Sequence, residues 1–415
     1  MQARTNIAKS ESPHRAQVGI VIGIALVALA AKIYCAATTF GSGDVTTICI
    51  FGKTIDAHGL DYLYRADHLF NHPPLAGAFF WWLYHVSSDI SPTGICGVPT
   101  ALPLLLRLPS VLADFMAVLI LLKIHEKTGK PPLPFVMIFA ASPAAFMVSA
   151  FHGNTDSVMV CLLLASAYFC VNENPILCGL FLALSCNVKI IPLLLTPVFF
   201  FFWLRRGNGA VLRFTLLFAL FCLSGWSSAL IGSPGQFYRN VLGYPSYAGA
   251  WGLTLVYSFI SDHWHLAPRG TFPFANILWT LTALKAAIVG ATIFLGWTRR
   301  KQDGIGLIKT ITFCWLCFMS LTPGFMPYYL IWIAPFLVCE SGPWYIIVTL
   351  ATSAYLFAYY DITSRGIPWN FANLTLPPTW PVWGLLPWLA LTAMAAAAGA
   401  KILRQSTLLP DPQQP

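Results

Sequence analysis

The chain has 415 residues, of which 57% are hydrophobic and only 9% charged, with a mean hydropathy of +0.69. So few charges cannot cover a water-soluble globule, which excludes a cytosolic enzyme, a disordered chain and a small disulfide-stapled domain and leaves a polytopic helical membrane protein. Lys and Arg outnumber Asp and Glu by 24 to 15, a formal charge of +9; in such a chain the excess belongs to cytoplasmic loops, and no basic stretch interleaved with aromatics marks a nucleic-acid surface.

The first apolar run is Gln17–Ala37. Arg4, Lys9 and Arg15 precede it, so it reads as a signal anchor with its N-terminus in the cytoplasm. The segment after it then faces outward. Residues 38–100 form a long first outer loop with Asp44, Asp56, Asp61, Asp67 and Asp89. Within it, Gly41-Ser42-Gly43-Asp44 is a turn that can bring a carboxylate close to a ligand. Asp44 reads either as an N-cap of a helix over 45–57 or as a general base. Tyr62 and Tyr64 suit a sugar or a structured loop equally. His72 precedes Pro73-Pro74 and either starts a helix or meets a phosphate at the water–lipid boundary. The patch Leu75–His85 is too short to cross, and counting it as a span would put Lys123, Lys127 and Lys130 outside. It reads as a helix on the membrane surface with Trp81, Trp82 and Tyr84 at the interface.

Further spans are expected at Ala101–Ile124, Leu133–Ala150, Ser157–Val171, Pro175–Lys189, Pro192–Leu204 and Val211–Ile231. A second long outer loop covers 232–274. The last five spans are Ala275–Trp297, Gly306–Leu321, Tyr328–Val338, Trp344–Tyr360 and Pro381–Ala400. The expectation is an all-α, polytopic membrane bundle of about 12 helices: a cytoplasmic tail over 1–16, a membrane domain over 17–404 and a cytoplasmic tail over 405–415. This arrangement puts 15 of the 24 basic residues inside. Alternating barrel strands are not visible.

Polar residues inside or beside the apolar runs are the candidates for chemistry. His152-Gly153-Asn154-Thr155-Asp156-Ser157 is the sharpest cluster, on the same side as Asp44; Asp156 reads as functional or as an N-cap. Arg107 and Asp114, seven residues apart on one face of a span, read as a structural ion pair or as packing. Lys189 has no acidic neighbour in sequence and reads as a phosphate contact or a snorkelling side chain. The loop Gly243–Leu253, with Tyr247 and Trp251, can stack on a sugar or lie in the interface, and Arg239 adds a cation to it. Tyr328 and Tyr329 close another outward junction. The eleven Cys, including the Cys314/Cys317 pair, read as core packing. No Walker loop, HExxH or GxSxG is present.

Taken in order, an acidic residue after the first span, HPPL before a Trp-rich helix, GNTDS opening one span, NVKIIP closing another and PYYLIW opening a late one resemble the C-type (GT-C) membrane glycosyltransferases. In particular they resemble the bacterial polyprenyl-phosphate-sugar mannosyl- or arabinosyltransferases and their GPI-mannosyltransferase-like relatives. The resemblance spans roughly Gly41–Pro335. It implies an inverting transfer from a polyprenyl-phosphate-linked sugar, mannose or a similar hexose or pentose, to a lipid or glycan acceptor. The active site would lie on the extracytoplasmic face of the plasma (inner) membrane. It implies Asp44 as the catalytic base, with Asp156 the second catalytic candidate. His72, Lys189, His152 and Arg239 would bind the donor phosphate, and Asn154, Tyr62, Tyr64, Tyr247, Trp251, Tyr328 and Tyr329 the substrates. His152 departs from the Arg common in GPI-type relatives, and Tyr328-Tyr329 from the frequent Gln-Tyr or His-Tyr. No cofactor is required; a divalent ion bridging Asp44 and Asp156 is compatible with the chemistry. The competing readings are a flippase for a lipid-linked saccharide, which needs polar groups at mid-bilayer depth, and an inactive lipid-binding relative.

Overall fold

The computed structural model describes residues 2–244, 250–264, 277–340, 342–373 and 381–407. Helix α1 (Gln2–Thr38) contains the first apolar run, and a two-residue strand β1 (Gly41–Ser42) follows it. Three helices fill the first loop: α2 (Gly43–His58), α3 (Leu60–Ala66) and α4 (Pro74–Ile90). Then come α5 (Leu102–Thr128), α6 (Leu133–Ala140) and α7 (Pro143–Phe146), the last continued by a wide, π-type turn over Met147–His152. Next are α8 (Asp156–Val171), α9 (Pro175–Val188), α10 (Thr196–Arg205), α11 (Asn208–Gly232), the short α12 (Pro234–Phe237) and α13 (Leu253–Trp264). The chain continues through α14 (Ile277–Thr298), α15 (Gly304–Leu321), α16 (Ala334–Leu337) and α17 (Pro343–Ser364). Strand β2 (Phe371–Ala372) pairs in parallel with β1, and α18 (Pro381–Thr407) follows.

All twelve apolar runs read from the sequence carry helix. Among the described residues, seven helices are long and apolar enough to cross a membrane. The shorter apolar helices are Asp156–Val171, Pro175–Val188, Ile191–Arg205, Thr282–Thr298 and Pro327–Leu337. Two of these are divided by prolines: Pro192 and Pro197 in one, Pro327 and Pro335 in the other. Each proline removes a backbone donor and tightens the winding into 3-10 turns at Ile191–Leu195 and Pro327–Ile333. On α11, Leu212, Leu216, Leu220 and Leu223 are exposed at helical spacing, a stripe suited to lipid. The chain is a multi-pass membrane protein.

The surface helix expected over 75–85 exists and is longer, as α4. It buries Ala76, Phe80 and Leu83 beneath α2 and leaves Trp81 and Trp82 exposed. Burial of each large side chain contributes about 1.5–3 kcal/mol, enough to hold a short helix that propensity alone would not. Two of the basic loops are tied to neighbouring turns of the bundle. The Lys127 ammonium donates to Asn172 Oδ1 (2.8 Å) and the Arg206 guanidinium to the Gln302 carbonyl (3.4 Å).

Two expectations are corrected. Arg107 and Asp114 are not partners. Asp114 pairs with Lys32 of α1 at 2.5 Å, both buried. Arg107 is fully buried and instead donates to the carbonyls of Pro103, Thr39, Phe40, Ala150 and Phe151 and to the Thr39 hydroxyl. The cap of α2 is Ser42, whose Oγ accepts from the Asp44 amide (3.2 Å), so Asp44 is not the N-cap. Cys314 is buried and Cys317 half-buried in α15, in keeping with packing.

Candidate active site

The turn after α1 and the junction before α8 are built against each other. Gly41 has φ +105°, and a Cβ there would lie 2.7 Å from the Phe151 carbonyl, so only glycine fits this approach. Gly153 has φ +87°, and a Cβ would lie 2.7 Å from the Val45 side chain. The Ser42 hydroxyl donates to the His152 carbonyl (2.6 Å). These contacts set Asp44 beside His152, whose Nε2–H donates to Asp44 Oδ2 at 3.1 Å. The other ring nitrogen, Nδ1, is buried with no protein partner. The Tyr328 ring lies on the His152 ring, with centroids 3.8 Å apart.

The Asp44 side chain is 39% exposed, while His152 behind it is 2% exposed. Burial alone would raise the pKa of the carboxyl. The adjacent His152, then Lys189 and the Tyr328 hydroxyl outweigh that and hold it below the usual carboxylate range. Asp44 is therefore ionised at neutral pH, ready to accept a proton.

Asp44 opens onto a cavity of about 130 Å³. Its walls include His72, Asn154, Lys189, Tyr328 and Tyr329. The sequence reading missed Thr47, Ile48 and Phe51, which share the cavity. Their signal is spacing: 44, 47, 48 and 51 form one stripe of α2. Asn71, Thr155 and Tyr244 also line it, each next to or inside a motif already singled out.

Lys189 stands where α9 gives way to extended chain before Pro192. Its ammonium lies 4.4 Å from the centre of the Tyr329 ring and 2.5 Å from Asp156 Oδ1. The lack of an acidic neighbour in sequence thus does not carry into space. Asp156 is fully buried and accepts from Lys189, the Trp332 indole N–H (2.8 Å) and the Asn154 amide (2.5 Å). It does not line the cavity, and its contacts are those of a counter-ion to Lys189. Trp332, also missed, stands three residues after Tyr329 and stacks on it at 4.4 Å.

His72 sits in an aromatic box. Its ring meets Phe80 edge-on at 5.0 Å and lies near Phe70 and Phe51. The Tyr64 hydroxyl donates to its carbonyl (2.7 Å), so buried Tyr64 supports the wall instead of lining it. Burial, helped by Lys189, pushes the His72 pKa down to about 3. The ring is neutral and offers a hydrogen bond, not a charge. Because the folded pKa lies below the unfolded value of about 6.5, the stability contributed above that pH is lost as pH falls toward 3. The melting temperature of detergent-solubilised protein should fall across this window, and His72→Gln should flatten the fall. An unaltered slope in the variant would rule His72 out as its source.

The remaining site expectations do not meet at the cavity. Tyr62 is exposed and packs on His58 at 4.6 Å, and Arg239 is exposed and not among the lining residues. Trp251 is fully buried, donating to the Met319 carbonyl (2.8 Å) as part of the core. Tyr247 lies outside the described residues. His152, expected at the phosphate, is held under Asp44. Among the described residues, no group of three or more His, Cys, Asp or Glu could hold a metal ion.

The model of glycosyltransferase family 87 matches residues 70–323, more than half of the chain. The chain belongs to glycosyltransferase family 87. This membership supports the resemblance to C-type membrane glycosyltransferases at the level of the superfamily. Among solved structures, the apo crystal structure of ArnT from Cupriavidus metallidurans is similar at TM-score 0.41 and 15% identity, over 97% of this chain and 82% of that one. The same protein bound to undecaprenyl phosphate is similar at TM-score 0.41 and 14% identity, over 96% and 81%. Both are distant likenesses. No curated protein matches the chain. The family 87 match begins just before His72 and ends just after α15, so the Asp44 turn and the Tyr328-Tyr329 wall lie outside it.

Proposed function

We propose that this family 87 protein transfers a sugar from a polyprenyl-phosphate donor to a hydroxyl of a lipid or glycan acceptor, with inversion, on the extracytoplasmic side of the plasma membrane. The observation that carries the reading is the shared cavity: an ionised Asp44 and the Lys189 ammonium face the same space. An acceptor hydroxyl is a weak nucleophile, and a carboxylate that takes its proton as the new bond forms lowers the barrier. The leaving phosphate gains negative charge as the glycosidic bond breaks. A largely shielded ammonium and a neutral imidazole donor stabilise that charge without reorganising. In this reading Asp44 is the base, Lys189 and His72 hold the phosphate, and Asn154, Tyr328 and Tyr329 contact the sugar or acceptor. His152 orients Asp44. Mannose or a similar hexose or pentose is the transferred group, and twelve crossings put both termini in the cytoplasm. The chemistry calls for no cofactor.

The test is transfer in detergent, where no gradient exists. Purified protein given a radiolabelled polyprenyl-phosphate sugar and candidate glycolipid acceptors should release polyprenyl phosphate and form an alkali-stable product of inverted anomeric configuration. Donor binding with no turnover for any acceptor would favour the flippase or the inactive relative. For orientation, Thr47→Cys should react with an impermeant thiol reagent from outside, and Lys130→Cys only after permeabilisation. The reverse pattern would move the site to the cytoplasmic face.

A further inference from the structure

The turn that carries Asp44 is short, and its backbone is held by the other end of the chain. Helix α1 ends at Thr38, leaving the amides of Phe40 and Gly41 with no helical acceptor. Both are taken by one residue. The Phe40 amide donates to Asn370 Oδ1 (3.0 Å) and the Gly41 amide to the Asn370 carbonyl (2.8 Å). The parallel pairing of Gly41 with Phe371 and Ser42 with Ala372 extends this contact. The Phe371 ring meets Phe40 edge-on at 4.5 Å. A two-residue ladder is marginal by itself, yet this one is tied down at both ends. Trp369 donates to Asp361 Oδ1 (3.2 Å) and packs on Phe151 and Tyr360, while the Asn373 amide donates to the Thr363 carbonyl (3.2 Å). On the other side, buried Arg107 bonds the Thr39 and Phe40 carbonyls together with those of Ala150 and Phe151, just before His152. The peptide groups that aim Asp44 are thus gripped from two directions.

We propose that residues 369–373, with Asn370 at their centre, are a positioning element that aligns Asp44 with the acceptor hydroxyl. This rests on Asp44 being the base. Asn370 touches neither the cavity nor Asp44; it acts through the Phe40–Ser42 backbone. A misplacement of about 1 Å at the reacting group is enough to cost up to 10²-fold in rate, so loosening one side of the grip should affect turnover more than binding. The segment lies beyond the family match at residues 70–323.

Asn370 is exposed, so truncating it opens no core cavity. In Asn370→Ala, kcat should fall about tenfold, equivalent to about 1.4 kcal/mol of barrier, with donor KM within twofold of wild type and the melting temperature unchanged. Asn370→Asp keeps an oxygen acceptor for the Phe40 amide and should restore most of kcat. Hydrogen–deuterium exchange should show the peptide spanning residues 39–45 exchanging faster in Asn370→Ala while the rest of α2 is unaltered. Wild-type kcat in Asn370→Ala, an equal rise in KM, no rescue by Asp or unchanged exchange would each overturn the proposal. Asp44→Asn assayed alongside separates the two readings. If that variant keeps its turnover, the base assignment fails, while the exchange arm still judges the grip.

Discussion

Asp44→Asn should lose transfer by about 10²-fold or more while donor binding and folding stay at wild-type level. The substitution preserves size and leaves an amide oxygen to accept from His152 Nε2, so the local packing survives. What it removes is the ability to take the acceptor proton. The structure sharpens this test. Ser42, not Asp44, caps α2, so no loss of activity can be assigned to a lost helix cap. Asp156, the other acidic candidate, is buried beneath Lys189 and away from the cavity wall. Turnover close to wild type in Asp44→Asn would therefore leave the cavity without a carboxylate base and overturn the mechanism as a whole.

The second large effect concerns Lys189. Because its ammonium neutralises the fully buried Asp156, Lys189→Met alone leaves an uncompensated buried charge, expected to cost about 3–5 kcal/mol in stability. Loss of activity in that variant would say nothing about donor binding. The double variant Lys189→Met with Asp156→Asn removes both charges and keeps an oxygen acceptor for the Trp332 indole. It should recover most of the melting temperature. If Lys189 holds the donor phosphate, the double variant should still bind donor about 10- to 100-fold more weakly, the loss of one charge-assisted contact of about 1.5–3 kcal/mol. A double variant that folds and binds donor with wild-type affinity would show that Lys189 serves only Asp156.

Much of this protein is written along its length. The scarcity of charge, the apolar runs and the clustering of basic residues announce a helical membrane bundle, because a span needs about 20 apolar residues and cytoplasmic loops retain cations. These are local properties, and each of the twelve runs became helix. Local chemistry also picked out Asp44, His72, Lys189 and the Asn154 cluster, since polar groups beside membrane spans are costly to keep without a use. The starting points of two of the shorter helices follow from the same local rules, as at Pro192 and Pro327.

Only the tertiary structure decided who stands next to whom. A sequence cannot tell a charge seven residues away from one 82 residues away, and the Asp114 partner proved to be Lys32, not Arg107. Nor could it reveal that Asp156 lies under Lys189, that His152 bonds Asp44, or that Tyr64 and Trp251 are buried in the scaffold. The turn before Asp44 is held by Asn370, 330 positions away. Each of these roles depends on which helices pack together. That choice is made by side-chain fit over whole helix faces, where the apolar residues of one span resemble those of any other. Polarity along the chain therefore identified the groups capable of chemistry, and packing decided which of them share the cavity and which lie behind it.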